Sequence, residues 1–162
     1  MQPIDPKLQS AVWGRVMAGC PAAGGGMQPA ERETIPAEEV LQMMQMEKND
    51  CAVYRYLACR ACGGEARTLR QMADDKACHV QKLHAMYFLE TGKCVCLQPE
   101  KPDCTACLTE ALRGRYETAR KTADLYEKAA ERWPDMSDEF LCMAADETRH
   151  SKCIRSMICR RL

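Results

Sequence analysis

Met143-Ala144-Ala145-Asp146-Glu147-Thr148-Arg149-His150 repeats, without gaps, Met72-Ala73-Asp74-Asp75-Lys76-Ala77-Cys78-His79. The two copies stay in step beyond the quoted segments, with Leu83 answering Ile154 and Met86 answering Met157. Each follows a tyrosine-bearing helical pattern at nearly the same distance, Tyr54-x-x-Leu57-Ala58 and Tyr126-x-x-Ala129-Ala130. In the second copy Glu147-x-x-His150 sets a carboxylate and an imidazole one turn apart on one helical face. That pair is the ligand unit of a carboxylate-bridged two-metal site inside a four-helix bundle. The first copy carries Lys76 where the second has Glu147, and this difference governs how much chemistry the repeat can support.

At 162 residues the chain can bury one sizeable core, so one principal domain is expected. Lys+Arg and Asp+Glu are equal at 23 each, and no basic block interleaves with aromatics. Nucleic acid and anionic membrane surfaces are therefore not expected partners. No apolar run approaches the roughly 20 residues of a membrane-spanning helix. Met17-Ala18-Gly19-Cys20 resembles a lipoprotein cleavage box, but Arg15 interrupts the apolar stretch before it and Lys7 is the one basic residue near the start. An export signal needs a basic start and an unbroken apolar stretch. Most of the 12 cysteines lie within strongly helical segments, unlike those of small extracellular disulfide scaffolds. Reduced thiols in a cytoplasm are the expectation.

Residues 8–18 can form a short amphipathic helix with Val12, Trp13 and Val16 on one side, and residues 21–29 read as a Gly/Pro linker. Residues 1–35 are thus set apart from a helical domain over 36–162. Four helices are predicted there. The first opens at Pro36 with Glu38 and Glu39 in its first turn and runs to about Ala61, before Gly63-Gly64. The second spans about Ala66 to Glu90 and stops at Gly92. The third runs from about Asp103 to Arg132, and the fourth follows Pro134 with Ser137 as N-cap.

At a period of about 3.6 residues the apolar stripes of helices 1, 2 and 4 are interrupted by ionisable groups near mid-length. Helix 1 reads Val40, Met44, Glu47, Cys51, Tyr54, Ala58, and helix 2 reads Leu69, Met72, Lys76, His79, Leu83, Met86. Helix 3 reads Leu108, Leu112, Arg115, Ala119, Thr122, Tyr126, Ala130, and helix 4 reads Phe140, Met143, Glu147, His150, Ile154, Met157. Isolated charge is costly to bury, so such groups pair with each other or with a metal ion. Tyr54 and Tyr126 are expected to pack on the site and donate hydrogen bonds to its carboxylates.

With Glu47 seven residues before Tyr54, the MADDKACH and MAADETRH segments, the helix 2 ending YFLETG and the lead-in VWGRVM, the chain resembles the ferritin-like superfamily, and within it the rubrerythrin-like group. The resemblance covers about residues 36–162. It implies an all-α four-helix bundle of two helical hairpins with a long crossover between helices 2 and 3. It also implies two iron or manganese ions held by a lone Glu on helices 1 and 3 and Glu-x-x-His on helices 2 and 4. Peroxide reduction, catalase chemistry and iron oxidation are activities of the family. Glu47, His79, Glu147 and His150 match its metal ligands. Lys76 and Ala119 do not, standing where it has a second motif carboxylate and the lone Glu of helix 3. Asp75 and Glu117 are auxiliary carboxylates nearby, although Glu117 is turned about 200° from Ala119 around the helix.

Charge limits the metal content. Two divalent ions beside Glu47, Glu147 and a protonated Lys76 leave an excess of about three positive charges in a poorly screened interior. One ion leaves about one, so at most a single ion is favoured. Three arrangements stay open: a metal-free core bridged by Lys76, a single-metal site, and a two-metal site completed by Asp75 or Glu117.

Cys59-x-x-Cys62 and Cys104-x-x-Cys107 raise a further metal question. A crossover would carry the chain between Gly92 and Pro102 along the bundle, a reach of about 30 Å when extended. The end of helix 1 would then lie beside the start of helix 3, and Cys59, Cys62, Cys104 and Cys107 could bind zinc as four thiolates. Two functions follow from these readings. One is a metal-handling oxidoreductase of peroxide or dioxygen, supplied with electrons by a separate donor or by thiols. The other is a non-catalytic structural or binding bundle, such as a homodimer, whose site is a lysine–carboxylate ion pair.

Overall fold

The computed structural model describes residues 34–162; the predicted short helix over 8–18 and the linker over 21–29 fall outside them. Four helices form: α1 (Ala37–Arg60), α2 (Gly63–Thr91), α3 (Leu108–Arg132) and α4 (Ser137–Cys159), with a 3-10 turn over Pro134–Met136. The closest pairs are α1 with α2 and α3 with α4, so the described chain is an all-helical bundle of two hairpins. None of the described helices is long and apolar enough to cross a membrane.

The connection between the hairpins ascends α1. Lys48 Nζ donates to Leu97 O at 2.7 Å, and Gln45 Nε2 to Gln98 O at 2.9 Å. Glu100 N donates to Asn49 Oδ1 at 2.9 Å, and Arg60 Nη1 to Ala106 O at 2.9 Å. The chain therefore leaves α2 near the start of α1 and enters α3 beside its end. Arg132 pairs with Glu39, and Arg160 and Arg161 pair with Glu65, which sets α1 antiparallel to α3 and α2 antiparallel to α4.

Three helix starts differ from the sequence expectation. α2 begins at Gly63, whose φ of 57° is left-handed, so the glycine pair serves the turn and the first helical residues together. α3 begins at Leu108 and not at Asp103. The Asp103 carboxylate accepts from Thr105 N and Oγ1 at 2.8 and 2.7 Å and holds a local turn. The helix then opens on a capping box in which the Cys107 thiol takes the part usually played by a hydroxyl, accepting from Glu110 N while Glu110 accepts from Cys107 N. Ser137 is not an N-cap: it is the first residue of α4, Met136 holds the cap position, and no side chain caps that end. The 3-10 turn fixes the entry instead, anchored by buried Trp133 at 6.0 Å from Phe140.

The stripe residues of α1, α2 and α4 are all buried, whereas Leu108 and Arg115 of α3 are half-buried. One apolar cluster gathers Val40, Met44, Leu83, Phe140 and Met143. A second gathers Leu57, Leu69, Met72, Leu112 and Ile154. Between them lies a buried polar layer containing Glu47, Asp50, Lys76, His79, Glu147 and His150.

Candidate metal centre

Helical spacing fixes which side chains reach this layer. α1 presents Glu47 and Asp50 one turn apart, α2 presents Lys76 and His79, and α4 presents Glu147 and His150. α3 contributes buried Ala119, a methyl group at the position where the resemblance implies a carboxylate, and Tyr126 two turns on.

Lys76 is fully buried, and its Nζ stands 3.0 Å from Glu47 Oε1, 2.9 Å from Glu147 Oε1 and 3.2 Å from Asp50 Oδ2. The Glu47 contact is a directed hydrogen bond. Asp50 Oδ2 and Glu147 Oε1 lie at ion-pair distance without hydrogen-bond geometry, and Glu147 Oε2 and His150 Nδ1 also lack a hydrogen-bond partner. Burial alone would favour loss of the lysine proton. Glu47, Glu147 and Asp50 reverse that and hold the amine above its ordinary value. Burial likewise pushes the Glu47 carboxyl up, but the Lys76 ammonium, the bond and charge of His79 and the Tyr126 hydroxyl outweigh it, leaving Glu47 below its usual value.

The repeat closes on itself through its histidines. His79 Nε2 meets Asp146 Oδ2 at 3.1 Å, and His150 Nε2 meets Asp75 Oδ2 at 2.9 Å. Each copy thus supplies the aspartate that orients the histidine of the other. Arg149 bridges the two aspartates, reaching Asp75 at 3.1 Å and Asp146 at 2.5 Å. With Nε2 so engaged, the Nδ1 atoms turn toward the glutamates: His79 Nδ1 lies 3.1 Å from Glu47 Oε2, and His150 Nδ1 3.5 Å from Glu147 Oε1. This is the outer-shell device that fixes ring orientation in histidine metal sites. Burial opposes a charge on His79, but Glu47, Asp146 and Glu147 outweigh burial and raise its pKa. Asp75 and Asp146 are both held below the ordinary range against partial burial, Asp75 by His150 and Gln71, Asp146 by Arg149 and His79.

Tyr126 donates to Glu47 Oε1 at 2.8 Å, as expected, and burial together with Glu47 pushes its phenol well up. Tyr54, expected to donate in the same way, instead packs edge-on against the His150 ring at 6.1 Å. Asp75 does not face the central space, because it is bound to His150 and Arg149. Glu117 lies on the exposed side of α3, as its rotation from Ala119 dictates.

Among the described residues, the one group of three or more acidic, histidine or cysteine side chains with converging ligand atoms is Glu47, His79 and Glu147, within 4.8 Å of one another. Two ions do not fit there. The ammonium contacts both glutamates, and Ala119 offers no oxygen from α3. Without any ion the carboxylates in and around the layer outnumber the permanent cations by two. Glu47, Asp50, Asp75, Asp146 and Glu147 face Lys76, Arg115 and Arg149, and Arg115 closes the set by hydrogen-bonding Asp50. A protonated His79 brings the total to within about one charge of zero, as burial of ions requires.

The structure thus gathers Glu47, His79, Glu147 and His150 in one layer. It adds Asp50, Asp146, Arg115 and Arg149, which sequence reasoning did not assign. Signals for three of them were present: Asp50 is one turn after Glu47, Arg115 stands on the helix 3 stripe, and Asp146 is the repeat counterpart of Asp75. The four candidate zinc thiolates do not converge. Cys59, Cys62, Cys104 and Cys107 are free and exposed, and no three of them bring their sulfurs within reach of one ion. The end of α1 and the crossover do adjoin, through Arg60 and Ala106, but two of the thiols are used locally. Cys107 caps α3, and Cys104 Sγ donates to Pro102 O at 3.3 Å.

No protein-family model matches the chain, and no curated protein or solved structure matches it either.

Proposed function

We propose that this chain is a ferritin-like bundle of rubrerythrin type in which an internal ammonium replaces the metal, leaving a metal-independent structural or binding scaffold. The ferritin-like part is supported by the connection that climbs α1 between the two hairpins and by the paired MADDKACH and MAADETRH segments with reciprocal histidine–aspartate bonds. The observation that carries the functional part is the position of Lys76 Nζ, fully buried and within 3.2 Å of Glu47, Glu147 and Asp50. A covalently attached cation there supplies the charge compensation that an ion would supply, and its stem excludes one. Peroxide or dioxygen chemistry at a reduced metal is then not an activity of the native chain.

Elemental analysis tests this reading. Protein prepared without added metal, and again after anaerobic incubation with iron(II) or manganese(II), should carry far less than one ion per chain. Lys76→Glu should bind metal under the same conditions. Stoichiometric iron or manganese in the native chain would overturn the proposal.

A second reading, a single ion with oxidoreductase ancestry, has one observation in its favour. Glu147 Oε2 and His150 Nδ1 are buried without hydrogen-bond partners. Under that reading Glu147 and His150 would hold the ion, which would supply Lewis-acid or redox chemistry when bound. Elemental analysis separates the two readings by stoichiometry.

A further inference from the structure

α1, the crossover and α3 enclose an open cleft of about 800 Å3, a size that suits a small organic ligand. Met46, Val53 and Leu57 give it an apolar wall, while Asp50 and Arg115 bring the edge of the buried charge cluster into its lining. Arg115 is 23% exposed and gives one N–H to Asp50. Its remaining donors have no hydrogen-bond partner among the described residues. Asp50 is shared with Lys76, so a single carboxylate faces two cations, and the guanidinium is left with capacity for a second. At the rim, Asp103 is held by Thr105 and Lys101 adjoins Glu100.

Gly114 lines the same cleft. A glycine inside a helix is destabilising relative to alanine, and neither a positive φ nor a close neighbour requires one here. Gly114 is absent from the left-handed glycines, and a Cβ added to it would meet nothing within 4 Å. The missing side chain keeps the cleft wide beside Arg115.

We propose that this cleft binds a small carboxylic acid with an apolar body. The carboxylate pairs with the unused edge of the Arg115 guanidinium, whose planar fork suits two-oxygen recognition. The apolar body lies over Gly114 against Met46, Val53 and Leu57. This goes beyond the metal-free reading and does not depend on it, since metal stoichiometry and ligand binding can fail separately.

The test is titration of the full chain with octanoate and with 3-phenylpropanoate, followed by calorimetry and amide chemical shifts, with octylammonium as the control of opposite charge. At least one acid should bind saturably in the millimolar range or tighter, shifting the amides of Val53, Gly114 and Arg115, and octylammonium should not. Gly114→Leu should fill the cleft and weaken binding by about tenfold or more without lowering the thermal midpoint. Arg115→Gln should weaken the acid by about tenfold, the loss of one charge-assisted pair. The proposal is overturned if neither acid saturates, if octylammonium binds equally well, or if Gly114→Leu leaves the affinity unchanged.

Discussion

The two copies of the helical repeat solve the same packing problem with opposite charges. In α4 the central residue is Glu147, with His150 one turn on; in α2 it is Lys76, with His79 one turn on. Both histidines are held in the same way, each by the aspartate of the other copy. The outer shell of the layer is therefore symmetric while its centre is not. A symmetric centre of two glutamates would need an external cation, whereas the Lys76–Glu147 contact at 2.9 Å supplies one from within. With a lysine at one repeat centre and a glutamate at the other, the layer carries a cation of its own between its carboxylates.

The largest effect is expected from restoring symmetry fully. Lys76→Glu combined with Ala119→Glu gives the four carboxylates of an intact site and removes the internal cation. Folding should then depend on divalent metal, measured as a large rise in thermal midpoint when manganese(II) is added, and the native chain should give no such rise. Removing the cation alone is next. Lys76→Met leaves Glu47, Asp50 and Glu147 facing one another without compensation, and should cost about 3–5 kcal/mol in chemical denaturation.

The outer shell offers a finer comparison. Asp75→Asn and Asp146→Asn each weaken one histidine–aspartate pair, and each should cost about 1–2 kcal/mol given the partial exposure of both carboxylates. A large difference between the two would show that the symmetry of the histidine bonds is only geometric. The pH dependence separates acids from bases. Glu47, Asp75 and Asp146 have depressed native pKa values. Their contribution is present above their unfolded values of about 4 and is lost as pH falls through the native ones. His79 has a raised native pKa, so its contribution is complete below about pH 6.5 and is lost as pH rises through the native value. Denaturation midpoints measured across pH should fall on both sides, and His79→Gln should flatten the alkaline side. Glu117→Gln is the smallest case. As an exposed residue outside the layer, it should change stability by no more than about 0.5 kcal/mol.

The asymmetry of the centre was legible in the sequence because it interrupts strong periodic stripes. Glu47, Lys76, His79, Glu147 and His150 each fall in register with apolar neighbours, and all are buried. What was not legible depends on direction around a helix and on loops. Asp50 and Asp146 lie just off the stripes, so their inward reach follows from how neighbouring helices pack, which spacing along one helix does not specify. Tyr54 and Tyr126 occupy equivalent places in the repeat, yet only Tyr126 reaches Glu47, since the counterpart carboxylate on α3 is the methyl of Ala119. The cysteine pairs looked like a ligand set on spacing alone. The second pair meets local demands, with Cys107 capping α3 and Cys104 bonded to Pro102, and a CxxC pattern does not encode those demands.

Diffraction from crystals grown with excess manganese(II), recorded at the manganese absorption edge, tests the internal-cation account most directly. The account expects Lys76 Nζ between Glu47 and Glu147, with no anomalous peak in the polar layer. An anomalous peak bridged by Glu47 and Glu147, with the lysine turned away from both, would contradict it.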